Sequence, residues 1–266
     1  MATGTLERGV LLLYHAVAGP APDGTRRFSL SREAFTGHLR LLRRLQDAGM
    51  VQVLGLPAWW SGLAARTRPV ALCFDDGGRS DYEHVLPLLV EFGFRASFFI
   101  TPALVGRPGY MDWAQIRELA AAGMDIECHG WEHVPLTRLT PAALSQQLRK
   151  ARHTLQEVAN TPVQFLAAPY GFWNRRVRDT ALQTGYRALC ISRPGLARAG
   201  APQLERNALR ADTSARQLQA WLQCRWGSYA GRIGRDWLLW TPKQLWTRVH
   251  PPPATPAPAR AFTSTS

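Results

Sequence analysis

Long apolar segments are missing from this sequence. Its 266 residues contain no run of about 18 or more uncharged apolar residues, the length that a membrane-spanning helix needs. The beginning, MATGTLERGVLLLYHAV, has only a short apolar run, which follows Glu7 and Arg8. A secretory signal has a basic start, a longer apolar region and a small-residue cleavage site. We therefore expect a cytoplasmic protein that is not exported, with the inner face of the membrane as a second location.

Lysine is scarce, so arginine carries almost all of the positive charge. Lys150 and Lys243 are the only lysines in a chain with a formal net charge of +13. A basic surface favours anionic partners such as nucleic acid, acidic lipids or anionic glycans. The arginines are spread along the chain, however, and no RNA-binding signature accompanies them. We expect no nucleic-acid partner and leave peripheral association with a membrane open.

Cysteine is also rare, and its spacing excludes two common kinds of site. The four cysteines form no C-x-x-C pair, so neither a zinc knuckle nor a thioredoxin-type site is supported. Cys73, Cys128 and Cys190 lie inside apolar runs. This placement predicts buried, reduced thiols.

Short apolar runs alternate with amphipathic stretches along most of the chain. The runs predict strands at 10–15, 50–54, 70–75, 95–100, 124–128, 163–168, 186–191 and 207–210. The stretches between them predict helices at 31–48, 80–92, 113–122, 140–159, 174–184 and 213–224. This alternation is typical of βαβ units with a parallel sheet. At this length it predicts an α/β fold whose sheet forms a closed or nearly closed barrel.

The pattern divides the chain into three parts. Residues 1–225 are predicted to form the barrel, 226–249 a Trp/Arg-rich extension, and 250–266 a disordered, proline-rich tail. Three tryptophans in the extension are expected to cover the edge of a core, with a membrane surface or a sugar-binding surface as alternatives: Trp237, Trp240 and Trp246.

Two adjacent acids end one of the predicted strands. In ALCFDDGG, residues 71–78, an apolar run leads directly into Asp75 and Asp76. Each carboxylate raises the cost of ionising the other, which predicts a metal, a shared proton or a catalytic task. In the absence of other chemistry, the two acids could also cap the next helix or pair with arginine.

A histidine pair follows the next strand but one. In ECHGWEHVPL, His129 and His133 are four residues apart, which brings both imidazoles to one side of a turn. A carboxylate and two imidazoles are a ligand set for a catalytic divalent metal, zinc first, with cobalt, nickel or iron as alternatives. Glu132 stands immediately before the second histidine, so the H-E-x-x-H protease motif is excluded.

Together with APYG, these motifs resemble those of the polysaccharide deacetylases, carbohydrate esterase family 4, also called the NodB-homology domain. The resemblance runs from about residue 9 to about residue 212. It is strongest to the branch that opens with a Tyr-His strand and includes poly-N-acetylglucosamine deacetylases. The resemblance implies a distorted (β/α) barrel of about seven parallel strands that removes acetyl groups from N-acetylated sugars with a metal-bound water.

The resemblance also implies roles for individual residues. Asp75 corresponds to the catalytic base, and the metal ligands correspond to Asp76, His129 and His133. Tyr170 corresponds to the residue whose backbone N–H helps to hold the oxyanion.

The general acid of the usual family order is missing. That order has a Leu-x-x-His motif downstream of the tyrosine, and this sequence has none. In the Tyr-His branch the acid is a histidine of the first strand, which is His15 here. A satisfied core histidine is the alternative for this residue.

One further departure concerns an arginine two residues before the conserved proline. Ala167 stands there, and we hypothesise that Arg210 replaces the arginine. For substrate binding the sequence nominates Pro169, Trp131 and Trp173, which lie in or beside the motif loops.

Three functions remain open at this point. The first is N-deacetylation of an N-acetylated glycan, an exopolysaccharide or its lipid-linked precursor. The second is hydrolysis of another amide on a small or lipid-linked amino sugar, such as deformylation. The third is a non-catalytic glycan-binding protein, against which the complete acid and histidine set argues.

Overall fold

The computed structural model describes residues 8–19, 26–62 and 67–223. The predicted extension at 226–249, the tail at 250–266 and Cys224 therefore lie outside the described residues, and their assignment stays a prediction. The three remaining cysteines are buried and free, as predicted.

The described residues form twelve β-strands and seven α-helices. The strands are β1 Arg8–Tyr14, β2 Ala16–Val17, β3 Ser29–Leu30, β4 Val51–Val53, β5 Arg68–Phe74, β6 Ser97–Ile100, β7 Asp125–Cys128, β8 Phe165–Ala167, β9 Ala188–Ile191, β10 Ala197–Arg198, β11 Gln203–Glu205 and β12 Asn207–Ala208. The helices are α1 Arg32–Asp47, α2 Leu56–Trp60, α3 Leu86–Phe92, α4 Trp113–Ala121, α5 Pro141–Ala159, α6 Arg175–Gln183 and α7 Ala215–Leu222.

Every predicted strand and helix is present, with bounds that differ by a few residues. Helices α1 and α5 begin after Ser31 and Thr140, whose side chains accept from the N–H of Ala34 and Ala143. The helix predicted at 80–92 instead starts with a π-helical turn, Asp81–Val85, and continues as α3. Across the described ranges, no helix combines the length and apolar character that crossing a membrane requires.

The sheet closes through two short strands that the sequence did not separate. Its strands follow the order β10-β1-β5-β6-β7-β8-β9-β11, with all pairs parallel except β1 with β10. Strand β11 pairs with β9, whereas β12 pairs with β1. Only Arg206 stands between β11 and β12, so this one segment joins the two ends of the sheet. The prediction of a distorted barrel is confirmed.

Both faces of the barrel strands are buried. On β1, Leu11 and Leu13 point into the barrel, whereas Val10, Leu12 and Tyr14 pack under the surrounding helices. Because neither face of such a strand meets water, the sequence shows continuous apolar runs instead of alternation.

A buried carboxylate links strands β7 and β8, which share few ladder contacts. Strands β7 and β8 share the register pair Cys128 and Leu166. Beside it, the carboxylate of Glu127 accepts from the backbone N–H of Gln164 at 2.7 Å and of Phe165 at 2.6 Å. The side chain of Glu127 thus adds hydrogen bonds between β7 and the start of β8, where the two strands share a single register pair.

Candidate active site

The residues singled out by the motifs meet at one end of the barrel. His15 follows β1, Asp75 follows β5, His129 follows β7, and Pro169 comes two residues after β8. These strands are parallel, so their carboxyl ends open on the same side, where the catalytic residues of such barrels lie. We call this end of the barrel the mouth.

The backbone at the mouth is held in an uncommon conformation. Asp76, His133 and Tyr170 have φ values of +78°, +56° and +60°, in the left-handed region that residues with a side chain seldom adopt. Such positions cost on the order of 1–3 kcal/mol each and persist only where surrounding structure enforces them. Gly77 continues the left-handed turn at φ +74°, and there the chain leaves the strand.

Asp76 and the two histidines form a compact cluster. Asp76 Oδ1 lies 3.3 Å from Nε2 of His129 and 3.2 Å from Nε2 of His133. The three possible ligand atoms lie within 4.8 Å of one another, and among the described residues this is the group that could hold a metal ion. The structure thus brings together the three residues that the resemblance assigns to the metal.

The tautomer of His129 suits metal binding. Its Nδ1 lies 3.0 Å from the carbonyl oxygen of Ala167. A carbonyl only accepts, so Nδ1 carries a proton, and Nε2, which faces Asp76, is the nitrogen that would offer its lone pair to a metal after losing its proton. A backbone acceptor behind a histidine is the usual support for a metal ligand. One carboxylate and two imidazoles oriented in this way fit a divalent ion of the zinc type.

Asp75 lies at the edge of this cluster and pairs with an arginine. Nη1 and Nη2 of Arg206 donate to its two carboxylate oxygens at 2.7 and 2.8 Å, a bidentate pair in which both side chains are buried. Asp75 Oδ2 also lies 4.0 Å from Nε2 of His129. The two adjacent acids therefore have separate partners.

The arginine hypothesis named the wrong residue. Arg206 fills the role that we assigned to Arg210, because Arg206 lies between β11 and β12 and points into the barrel. Arg210 comes after the end of β12, where its backbone N–H donates to Thr213 Oγ1. Ala167 is buried in β8, and the guanidinium reaches Asp75 from the other side of the mouth.

These contacts set the ionisation of the two acids. Burial raises the pKa of Asp75, but the Arg206 guanidinium and His129 outweigh it, so the pKa lies below its ordinary value. Burial likewise raises the pKa of Asp76, and hydrogen bonds from His129 and His133 hold it well below the ordinary value. Both carboxyl groups are therefore ionised at neutral pH.

His129 responds in the opposite sense. Burial lowers the pKa of this imidazole, but Asp75 and Asp76 more than compensate, and the pKa lies above its ordinary value. A metal ion that binds His129 must therefore compete with a proton that is held more tightly than in an ordinary histidine.

His15 and Tyr170 lie on either side of the cluster. His15 is half-buried, and burial lowers its pKa although Asp76 and Asp75 raise it. The ring of Tyr170 is 38% exposed, and its centroid lies 4.6 Å from that of His133. Tyr170 stands in a tight turn closed by hydrogen bonds from Gly171 N–H to Ala168 and from Phe172 N–H to Pro169.

The three nominated substrate-binding residues lie beside the site, and their role stays a prediction. Pro169 is buried, while Trp131 and Trp173 are half-buried and pack against the main core. The ammonium of Lys150 lies 3.8 Å from the ring centroid of Trp131, so that face of the indole is occupied.

Sequence reasoning missed two acidic or basic groups at this mouth. One is Arg206, and the available signal was its alternation with Leu204 and Ala208 in QLERNAL. Leu204 and Ala208 belong to the inner cluster, and the guanidinium of Arg206 lies 5.0 Å from the ring centroid of Phe99 in the same cluster. The other is Asp81, which is fully buried at the start of the π-helical turn. Burial and the charges of Asp76 and Asp75 raise its pKa well above the ordinary value.

Similarity to known proteins covers the part of the chain that carries most of this site. The family model described as polysaccharide deacetylase matches residues 63–189. The protein YxkH of Bacillus subtilis is 27% identical over 128 residues, 48% of this chain and 46% of that protein. A chitooligosaccharide deacetylase of Bradyrhizobium is 28% identical over 130 residues, 48% of this chain and 58% of that protein. The chain thus spans about half the length of these curated relatives.

A solved structure extends the agreement to the fold. The Streptococcus pyogenes deacetylase PplD, in complex with acetate, superposes with a TM-score of 0.72 at 21% identity. The match covers 80% of this chain and 96% of that one. Residues 63–189, which include Asp75, Asp76, His129, His133 and Tyr170, thus match the polysaccharide deacetylase family, and the solved structure matches the fold.

Proposed function

We propose that the protein is a metal-dependent carbohydrate N-deacetylase that hydrolyses the N-acetyl amide of amino sugars in a polysaccharide or its lipid-linked precursor. The observation that carries the proposal is the division between the two acids. Asp76 contacts both histidines, whereas Asp75 is held by Arg206 and left outside the ligand cluster. Amide hydrolysis needs this division, because one acid must bind the metal while the other handles a proton.

Asp76, His129 and His133 would hold the divalent ion. The donor set suits zinc, with cobalt, nickel and iron as alternatives. When bound, the ion would supply Lewis-acid polarisation of the amide carbonyl and of a water molecule. The hydrogen bond from His129 Nδ1 to Ala167 prevents that ring from turning its protonated nitrogen toward the ion.

Asp75 is the general base in this proposal. It accepts a proton from the attacking water through its Oδ2, which lies at the edge of the cluster, 4.0 Å from His129. The bidentate contact with Arg206 fixes the plane of the carboxylate and keeps it ionised. A base that is already ionised and oriented needs no rearrangement before it accepts the proton.

His15 donates a proton to the leaving nitrogen. The C–N bond breaks, the sugar leaves as an amine, and the acyl group leaves as acetate after the water has added its oxygen. The lowered pKa of His15 makes the imidazolium a stronger acid than an ordinary histidine. The backbone N–H of Tyr170 is proposed to hold the oxyanion, in a turn that the left-handed conformation fixes.

The substrate is an N-acetylated glycan. The name of the Bradyrhizobium relative, a chitooligosaccharide deacetylase, supports a chain of amino sugars. The exposed side chain of Tyr170 supports recognition of a pyranose face. The net charge of +13 supports work at an anionic membrane surface, where a lipid-linked intermediate would be met on the cytoplasmic side.

The test measures metal content and product release on the same preparations. Wild-type protein is loaded with zinc and then incubated with N-acetylglucosamine oligomers, and acetate is quantified. We expect about one divalent ion per chain and steady acetate release. Asp76→Ala and His129→Ala should lose both.

Matched controls separate the site from general damage. Asp179→Ala and His153→Ala remove an exposed acid and an exposed histidine that lie in ion pairs on helices α6 and α5. Both should keep metal and activity. Formate release from N-formyl sugars without acetate release would contradict the acetyl specificity, and a wild-type protein that binds no metal under any loading condition would contradict the enzymatic proposal.

A further inference from the structure

His15 is the one histidine at the mouth whose Nδ1 is buried without a hydrogen-bond partner among the described residues. His129, by contrast, has its Nδ1 anchored on the carbonyl of Ala167. A ring without such an anchor can rotate about its side-chain bonds unless packing prevents it. The orientation of His15 must therefore be set by the atoms packed against its faces.

Phe28 supplies that packing. Its ring is stacked on His15 with a centroid distance of 4.8 Å and an interplanar angle of 27°. The guanidinium carbon of Arg27 lies 5.7 Å from the centroid of the Phe28 ring. Phe28 itself is half-buried, so the aromatic pair lies at the edge of the mouth.

The backbone holds the two rings in register. Residues 29–30 form β3, which pairs with β2 immediately after His15. The N–H of Ala16 donates to the carbonyl of Phe28, and the N–H of Ala18 donates to the carbonyl of Leu30. The N–H of Ala211 donates to the carbonyl of Arg27 and ties the same segment to the chain beyond β12.

We propose that Phe28 is a positioning residue that orients His15 for proton transfer to the leaving nitrogen. The inference rests on the proposed function, in which His15 is the general acid. A proton donor works only within hydrogen-bond reach of the atom that receives the proton. Stacking on Phe28 restricts the imidazole to one plane and so keeps its second nitrogen, Nε2, directed at that atom.

The first test is a double-mutant cycle on acetate release from N-acetylglucosamine oligomers by the zinc-loaded protein. Phe28→Leu keeps apolar bulk but removes the flat ring. We expect kcat to fall about 10- to 100-fold, part of the contribution of a general acid, with KM and metal content unchanged. In the His15→Ala background the same change should lower kcat by no more than about two-fold, because the residue that it positions is absent.

The second test varies the leaving group. An aryl acetate such as 4-nitrophenyl acetate loses a stable phenolate that needs no proton, so Phe28→Leu should leave its hydrolysis unchanged within about two-fold. Phe28→Tyr keeps the ring and should restore most of the amide activity. Phe92→Leu is the control, since Phe92 stacks on Phe94 just before the amino end of β6, away from the mouth.

Each result has a defined meaning. An equal loss on amide and ester, or an equal loss with and without His15, would overturn the inference by showing a general structural role. Full amide activity in Phe28→Leu would also overturn it. Absence of acetate release by the wild type would instead reject the proposed function, and this inference with it, before any variant is compared.

Discussion

The two sides of the mouth are built by different means. On the side of β7, Asp76, His129 and His133 come from two short motifs and contact one another directly. On the side of β11 and β12, Arg206 reaches Asp75 from 131 positions further along the chain. The first side is a group of ligand atoms that could hold a cation, whereas the second already carries its own counter-charge.

This difference explains how neighbouring acids avoid competing for the same partner. Asp76 and Gly77 form a left-handed turn, and the carboxylate of Asp76 contacts the histidines whereas that of Asp75 contacts Arg206. A buried guanidinium then balances Asp75 permanently, and Asp76 depends on the histidines and on what they bind. The separate contacts of the two acids thus depend on the backbone turn and on the position of one arginine.

The largest expected effect comes from removing the base without touching the metal cluster. Asp75→Asn keeps the shape of the side chain, but it can accept only one of the two hydrogen bonds from Arg206 and cannot accept a proton at neutral pH. We expect acetate release to fall by about 10²–10⁴-fold, the contribution of a general base. A kinetic assay on oligomers with zinc-loaded protein checks this. Activity within ten-fold of the wild type would show that the proton goes elsewhere.

Breaking the arginine side should be the next largest effect. Arg206→Met leaves Asp75 buried without its counter-charge, which costs about 3–5 kcal/mol of stability when one partner of a buried pair is lost. The surviving carboxylate should hold its proton more tightly, so the acidic limb of the pH–rate profile should move to higher pH. Arg206→Lys should recover part of the loss, because lysine restores charge but not the bidentate contact.

Unfolding curves and pH–rate profiles for both Arg206 variants make this measurable. The account is contradicted if Arg206→Met shifts neither the limb nor the unfolding midpoint. Arg216→Met, a change on the exposed face of α7, provides a matched arginine control.

The pH dependence of metal affinity sharpens the comparison further. His129 must lose its proton to bind a metal, and Asp75 and Asp76 raise its pKa above the ordinary value of 6.5. As the pH is lowered, the apparent affinity for the metal should therefore start to fall before pH 6.5 is reached. In Asp75→Asn one of the two charges is gone, so the fall should shift to lower pH. Zinc titrations between about pH 5 and 8 test this, and identical profiles for the two proteins would contradict it.

The smallest effect concerns Asp81, which belongs to neither side. Both of its carboxylate oxygens are buried and lack a hydrogen-bond partner within the described part of the chain. The pKa of Asp81 is raised in the folded protein from an ordinary value of 3.8. The folded protein therefore becomes less stable relative to the unfolded chain as the pH rises from the unfolded-state pKa toward the folded-state pKa. Asp81→Asn does not ionise and should escape that loss.

Thermal unfolding of metal-free protein at two pH values checks this expectation. The midpoint of Asp81→Asn should exceed that of the wild type by a few degrees at pH 7, at roughly 2–4 °C per kcal/mol. The difference should shrink near pH 4, where the wild-type carboxyl also becomes neutral in the unfolded chain. Asp179→Asn, at an exposed site, should show no such difference, and a constant gap at both pH values would refute the assignment.

Local motifs made the side of β7, with Asp76 and the two histidines, predictable. His129 and His133 follow a strand, and Asp75 and Asp76 follow another, so strand ends and parallel pairing were enough to bring them together. The helices were equally accessible, because apolar periodicity and side-chain caps such as Thr140 are read from neighbouring residues.

The side of β11 and β12, from which Arg206 reaches Asp75, could not be predicted in the same way. The choice between Arg206 and Arg210 depends on where β12 ends, and a strand of two residues has no clear boundary in sequence. The contact of Phe28 with His15 likewise depends on β2 and β3, two strands of two residues that no apolar run announces. Long-range pairs and very short strands thus account for what the sequence left unassigned.

The measurement that tests the central claim most directly is a zinc titration of Asp75→Asn and Asp76→Asn in parallel. The two substitutions are chemically identical and adjacent, so they differ only in which side of the mouth they affect. We predict that Asp75→Asn binds about one ion per chain, as the wild type does, and that Asp76→Asn loses tight binding. Equal binding by both variants, or loss in Asp75→Asn alone, would contradict the division of labour between the two acids.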